Sequence, residues 1–595
     1  MTSLHNTELG DLPEWDLGDL YKGFDDPEFA SDFDAAERAA AQFAQSFQGR
    51  LASLDGAQFA AAIRSYETIE ESLGRLMSFA SLAHVTRLDD PETARFHSDS
   101  QARASMIGST LLFFTLEINR LEEARLEVLF QDSGVARYRP WIEELRALRP
   151  YQLADDLEKL LLEKSVAGAA AWGRLFDETL AGLRFTVRGR ELNEEEALHL
   201  LSDPDAGLRA DAAQALSDVF ARNIKLFALI TNTLAKDKEI EDRWRKYPGP
   251  ATARHLSNRV EPEVVAALVS AVRESYPQLS HRYYALKARW MGKEKLAFWD
   301  RNAPLPDQSE RRIPWEEARQ TVLSAYGDFA PEMAEIGGRF FERRWIHAPI
   351  AAGKISGAFA HPVTPGAHPY VLMNYQGRMR DVMTLAHELG HGVHQVLAAE
   401  QGLLLADTPL TLAETASVFG EMLTFQALLK TVKTGAERRA MLASKVEDML
   451  NTVVRQIAFY EFERQVHDAR KQGELTPGQL GAIWMQVQGE SLGPAIDLSA
   501  GYENFWCYIP HFIHSPFYVY AYAFGDCLVN SLFACFRQAE SGFQEKYFAM
   551  LRAGGSKRHG ELLRPFGLDA ADPSFWKGGL SMISGMIGAL ESENP

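Results

Sequence analysis

The chain has 595 residues, 46% hydrophobic and 24% charged, enough to bury a large core divided among two or more packed regions. Its formal net charge of −19, without a dense Lys/Arg run, argues against nucleic-acid binding and reads as ordinary solubility. Only three cysteines occur, Cys507, Cys527 and Cys535, an odd and clustered set that makes a poor disulfide framework and suits a reducing compartment.

Residues 1–8 are polar and lack a basic region followed by an apolar one, so no secretory signal is expected. No apolar run approaches the length of a membrane span, and the expected location is the cytoplasm, without membrane contact. Phe29, Phe33, Phe43, Phe47 and Leu51, then Tyr66, Ile69, Leu73, Leu76, Phe79 and Leu82, recur at helical spacing and predict core-facing stripes. The run from Phe185 to Leu192 predicts a small hairpin, with helix resuming near Glu194. A domain boundary is placed there, giving an N-terminal helical domain over 1–190 and a second domain over 191–595. Loops are expected over 301–307 and 362–366, the second a candidate for lining a cleft. Gly357-Ala358-Phe359 and the stretch 370–375 read as short strands, whose exposed edge could pair with an extended peptide. The architecture expected is mostly α, a large multi-helix bundle with a small β-sheet near the helix described next. Nothing in the pattern specifies an oligomeric state.

His387-Glu388-Leu389-Gly390-His391 carries the chemistry. Four residues advance a helix by about 400°, so His387 and His391 project in nearly one direction and can share a metal, with Glu388 about 100° round at the rim. That is where a general base for a metal-activated water belongs. Val382, Leu385, Ala386, Leu389, Val393, Val396 and Leu397 support a helix, and Gly402 marks its end. A hydrolytic zinc takes a third protein ligand. The extended metzincin pattern needs Gly at 394 and His at 397, where this chain has His394 and Leu397, and is excluded. Glu400 points backwards on the same helix. Glu414 and Glu421, seven apart on one face of a following helix, both remain as candidates, and Glu414 could equally complete a capping box with Thr411. His394 lies two turns along from His387, too far to ligate without distortion, and reads as packed or as orienting a ligand. No cysteine lies near the motif and no Gly-x-Ser-x-Gly elbow appears, so a covalent acyl-enzyme is not expected.

The run from Asp381 to Gln395, followed by Leu412-Ala413-Glu414-Thr415-Ala416-Ser417, resembles the thimet-oligopeptidase (M3) family of zinc peptidases, and within it the oligoendopeptidase F type. Trp15 to Tyr21, His281 to Tyr284, Ser356 to Phe359 and His511 to Gly525 are similar to the same group, so the resemblance spans nearly the whole chain. It implies one Zn2+ held by His387, His391 and Glu414, with Glu388 as general base and Glu421 orienting a ligand imidazole. It also implies oxyanion support from the late His/Tyr segment and a deep channel admitting only short, unfolded peptides. In that segment Ser515-Pro516 predicts a helix start, which would set Tyr518 and Tyr522 on one face with Tyr520 off it. Tyr518 or Tyr522, together with His511 or His514, are the candidate donors, although aromatic residues at this spacing also suit a plain core. The implied activity is a zinc endopeptidase acting on oligopeptides. The competing readings are a zinc (dipeptidyl) carboxypeptidase and a non-catalytic peptide-binding scaffold.

Overall fold

The structure is a computed structural model and describes residues 9–305, 312–498, 501–539 and 541–592. The polar start over 1–8 and the end of the loop expected over 301–307 lie outside the described residues; Arg301 to Leu305 are turn and coil as expected. The chain is mostly α, with three small sheets among the described residues. Its contacts resolve into two compact units, each assembled from three separated stretches.

The first unit draws on Met1–Arg149, Glu310–Thr431 and Ala539–Gly567. It opens with helices α1 (Pro27–Phe47), α2 (Gly56–Val85) and α3 (Pro91–Arg120). Each begins at an aspartate whose side chain accepts an N–H of the first turn: Asp26, Asp55 and Asp90, with Pro27 and Pro91 at the following position. The expected stripes face inward, with Phe29, Phe33, Phe43, Leu76 and Phe79 buried and joined by Phe59, Leu111 and Phe114. A three-stranded sheet follows, in the order β1 (Ile346–His347), β3 (Tyr370–Leu372), β2 (Phe359–His361), which leaves β2 at an edge. β1 runs parallel to β3, and β2 pairs antiparallel with it, Ala360 opposite Val371. Helices α4 (Met379–Ala398) and α5 (Leu410–Thr431) complete the part that matters for chemistry.

The second unit draws on Pro150–Ser309, Val432–Gln538 and Leu568–Pro595. Its hairpin pairs Phe185–Val187 with Arg190–Leu192, and helix resumes at Glu194. The boundary expected near residue 190 falls inside this unit, at that hairpin. The 40-residue helix Ala206–Arg245 starts at Asp205 and buries Arg209, which donates to the buried Asp300 at 2.7 Å. A carboxylate taken out of water this completely is tolerated because Lys293 also donates to it. Cys507 and Cys527 are buried free thiols. No helix among the described residues is long and apolar enough to cross a membrane.

Candidate metal centre

Helix α4 is started by Asp381, whose Oδ2 accepts the N–H of Gln376 at 2.8 Å and of Arg378 at 2.9 Å. Val382, Leu385, Ala386, Leu389, Val393 and Leu397 lie buried along one side, so the apolar period sets which way the His-Glu-x-x-His turn faces. Gly390 is the point of closest approach to α5. A Cβ there would meet the Ala416 carbonyl oxygen at 2.5 Å and Ser417 Cα at 2.7 Å, so only glycine lets the two backbones come this near. His387 meets Glu421, Gly390 meets Ala416 and His391 meets Glu414, so α5 runs antiparallel to α4.

The two imidazoles turn their Nε2 atoms towards one carboxylate oxygen: Glu414 Oε2 is 3.3 Å from His387 Nε2 and 3.5 Å from His391 Nε2. Donor atoms of the three residues all lie within 4.8 Å of one another. Tetrahedral zinc with bonds of about 2.0–2.2 Å separates its ligand atoms by about 3.4 Å, so two imidazoles and a carboxylate at this spacing suit the ion and leave a fourth direction open. The ring positions are fixed from behind. His387 Nδ1 lies 3.3 Å from Glu421 Oε2, while the His391 ring donates to the Ala413 carbonyl. Glu414 itself is steadied by Ser417, whose Oγ donates to its Oε2 at 2.6 Å. Ser417 and the Ala413 carbonyl were not picked out by spacing; a serine one turn after the acid was the only signal available for the first. His394 is buried outside this cluster, its ring donating to the carbonyls of Ala413 and Leu551 with Thr408 Oγ1 3.5 Å from Nε2.

Electrostatics here follow burial and the density of carboxylates. Burial pushes the His387 imidazole down, but the hydrogen bond to Glu421 and the charges of Glu414, Glu421 and Glu388 outweigh it and lift it to about 9. His391 goes the other way, to about 4, because burial and the neighbouring His387 outweigh Glu414. Burial likewise lowers His394 to about 4. Glu388, only 7% exposed, is raised by burial to about 7, with the Glu414 charge adding to the rise and His387 opposing it. Its carboxylate accepts the Ala360 N–H of edge strand β2, and the Ala360 carbonyl accepts Gln395 Nε2 at 3.2 Å. The outward main-chain groups of Ala360 are therefore engaged with α4. Gly357, at φ +86°, gives its carbonyl to Asn374 Nδ2 at 3.0 Å, whereas Ala358 has no main-chain partner among the described residues. The strand itself begins at Phe359, two residues later than read from the sequence. Loop 362–366 lines a cavity of about 390 Å3 whose wall includes His391 and His394.

The late His/Tyr residues belong to the second unit. Helix does not start at Ser515-Pro516. His511–His514 form a single turn, Phe517 takes φ +60°, and the long helix runs Tyr520–Gln538. The left-handed residue breaks the run that the Ser-Pro pair suggested. Tyr518 and Tyr522 nonetheless touch, with centroids 5.3 Å apart, and His511 Nε2 lies 3.2 Å from the Tyr522 hydroxyl. Tyr520 is buried away from them, its hydroxyl meeting His255 and Asn258. His514 turns to Asp177, at 2.8 Å.

The family model described as Peptidase family M3 matches residues 199–581, and one described as Oligopeptidase F matches 117–185. Oligopeptidase PepF of Bacillus subtilis (strain 168) is 26% identical over 97% of this chain and 86% of its own length. Group B oligopeptidase PepB of Streptococcus agalactiae serotype III (strain NEM316) is 27% identical over 92% of each. Among solved structures, oligoendopeptidase-F from Enterococcus faecium superposes with a TM-score of 0.70 at 22% identity, over 95% of this chain and 98% of that one, which speaks to the fold. With the first model covering more than half its length and a His-His-Glu cluster at metal-binding distance, this chain belongs to peptidase family M3 and is a metallopeptidase.

Proposed function

We propose that the chain is a zinc-dependent endopeptidase that hydrolyses internal bonds of short oligopeptides, with one ion per chain held by His387, His391 and Glu414. The observation that carries the reading is the convergence of two Nε2 atoms on one Glu414 oxygen at 3.3 and 3.5 Å, each ring held from behind. When bound, zinc supplies the Lewis acidity that brings water towards neutral pKa and polarises a carbonyl. Glu388 accepts the proton of the attacking water and returns it to the leaving amine; the Ala360 N–H fixes the carboxylate for both transfers. Glu421 keeps His387 in the tautomer that offers Nε2. The segment Gly357-Ala358-Phe359 receives extended substrate, with Ala358 contributing the open main-chain groups. Donors for the developing oxyanion are assigned to Tyr518, Tyr522 and His511, while His514, engaged by Asp177, holds the segment in place. The same reading places the protein in the cytoplasm, where the buried Cys507 and Cys527 stay reduced.

The test pairs metal content with turnover. Glu388→Gln is expected to keep about one zinc per chain while turnover of a short peptide falls about a thousandfold. Unchanged cleavage would falsify the role given to Glu388. A substrate blocked at both termini separates the two peptidase readings: the endopeptidase still cuts it, and a carboxypeptidase does not.

A further inference from the structure

The second unit holds a cavity of about 900 Å3 that the catalytic reading does not use. Its wall draws on the helices Pro262–Ser275 and Val454–Arg470 and on His255. Pro262, Ala266, Val269 and Pro277 give it apolar sides. Tyr276 and Tyr460 line it at 5% and 8% exposure, and neither hydroxyl has a hydrogen-bond partner among the described residues. Buried phenols normally find one, so these two are left for something that enters the cavity. His255 adds a third group. The Tyr520 hydroxyl accepts Asn258 Nδ2 at 2.9 Å and lies 3.1 Å from His255 Nδ1, so its own proton turns to that nitrogen. Burial keeps the imidazole neutral, lowering it to about 4, and its one proton therefore sits on Nε2, which has no partner among the described residues. The charged groups of the wall, by contrast, are matched. Arg273 reaches Glu461 and Glu490, each at 3.1 Å, Arg464 holds Glu461 at 3.0 Å, and Glu274 meets Lys577 at 2.8 Å.

We propose that this cavity binds an uncharged aromatic amide. Each part of that class answers to a feature of the wall. An ionic ligand would have to break one of the pairs around Glu461 or bring in a charge with no counterpart, a cost that a neutral ligand of the same shape escapes. A planar amide carries both an acceptor and a donor, which matches two phenols that can do either and an imidazole N–H that only donates. An aromatic ring covers the proline and tyrosine faces, and the volume falls in the range of small-molecule sites. The cavity lies wholly within the second unit and shares no residue with the metal centre or with the group of His511, Tyr518 and Tyr522.

Calorimetry on the full-length, zinc-loaded protein at about pH 6 compares three compounds: N-acetyl-phenylalaninamide, which is uncharged, N-acetyl-phenylalanine, an anion, and phenylalaninamide, a cation. The first holds a single residue and offers no bond between two residues to cleave. It is expected to bind once per chain and about tenfold more tightly than either ionic relative. Tyr276→Phe/Tyr460→Phe keeps both rings and removes both hydroxyls, and its affinity for the uncharged compound should fall about tenfold. Ala266→Trp, at an exposed position of the wall, fills the cavity and should abolish binding. No saturable binding in the parent, an ionic compound as tight as the neutral one, or binding that survives Ala266→Trp overturns the proposal. So does an affinity unchanged by loss of the two hydroxyls. Should the double tyrosine variant fail to fold, Ala266→Trp decides, because an exposed alanine can be enlarged without disturbing the core. Because no cleavage is read, this site and the peptidase reading stand or fall separately.

Discussion

The His-Glu-x-x-His turn and the segment around Phe517 are built on opposite terms. In the first, two regular helices pack closely, and periodicity predicts which face of each turns towards the other. In the second, a single helical turn, a left-handed phenylalanine and a new helix follow within ten residues, and contacts across the unit set the geometry. Phe517 is pinned by its N–H donating to Glu463 Oε1 at 2.8 Å, with the His467 ring 4.9 Å from its own. Regular elements place functional groups by counting; irregular ones need a buried partner to hold them.

Removing the support behind a ligand should show the largest effect. Glu421→Ala is expected to weaken zinc binding by about 10–100-fold, read by competition with a chelator, since His387 Nδ1 loses the group that orients it. Unchanged affinity would mean that helix packing alone positions the ring.

Gly390→Ala attacks the packing instead. Its new Cβ would face the Ala416 carbonyl at 2.5 Å, backbone that cannot swing aside, so destabilisation of about 1–3 kcal/mol is expected in denaturant unfolding, with zinc affinity falling too. Loss of stability without loss of affinity would show that the metal residues tolerate a shift of α5.

Glu463→Gln sharpens the other side of the comparison. Burial raises the Glu463 carboxyl to about 8, against the opposing effects of the Phe517 N–H and the charges of Arg254 and Lys238. A folded pKa above the unfolded value means that this group's contribution to stability is complete below about 4.5 and is lost as pH rises through about 8. The isosteric amide lacks that dependence. Its thermal midpoint should gain on the parent by a few degrees between about pH 5 and 9. A constant difference across that range would show that the carboxyl titrates normally.

Much of the first region was legible in the chain. The 3.6-residue period fixed the inward face of α4, four-residue spacing put His387 and His391 together, and the seven-residue spacing of Glu414 and Glu421 put both beside them. These are local rules, and helices obey them over any length. Which glutamate meets which nitrogen was not legible, because it depends on how far α5 slides along α4, and that register is set where Gly390 meets Ala416. The helix expected at Ser515-Pro516 failed for a related reason: local capping signals were outweighed by the Glu463 contact from a residue 54 positions away.

By itself the sequence determined the helical class, the helix that carries the His-Glu-x-x-His turn and the chemistry that turn can support, because periodicity and motif spacing are properties of neighbouring residues. Tertiary structure alone decided the pairing of Glu421 with His387, the hold of Ala360 on Glu388 and the turn at Phe517, because each joins groups that only a packed core brings into contact.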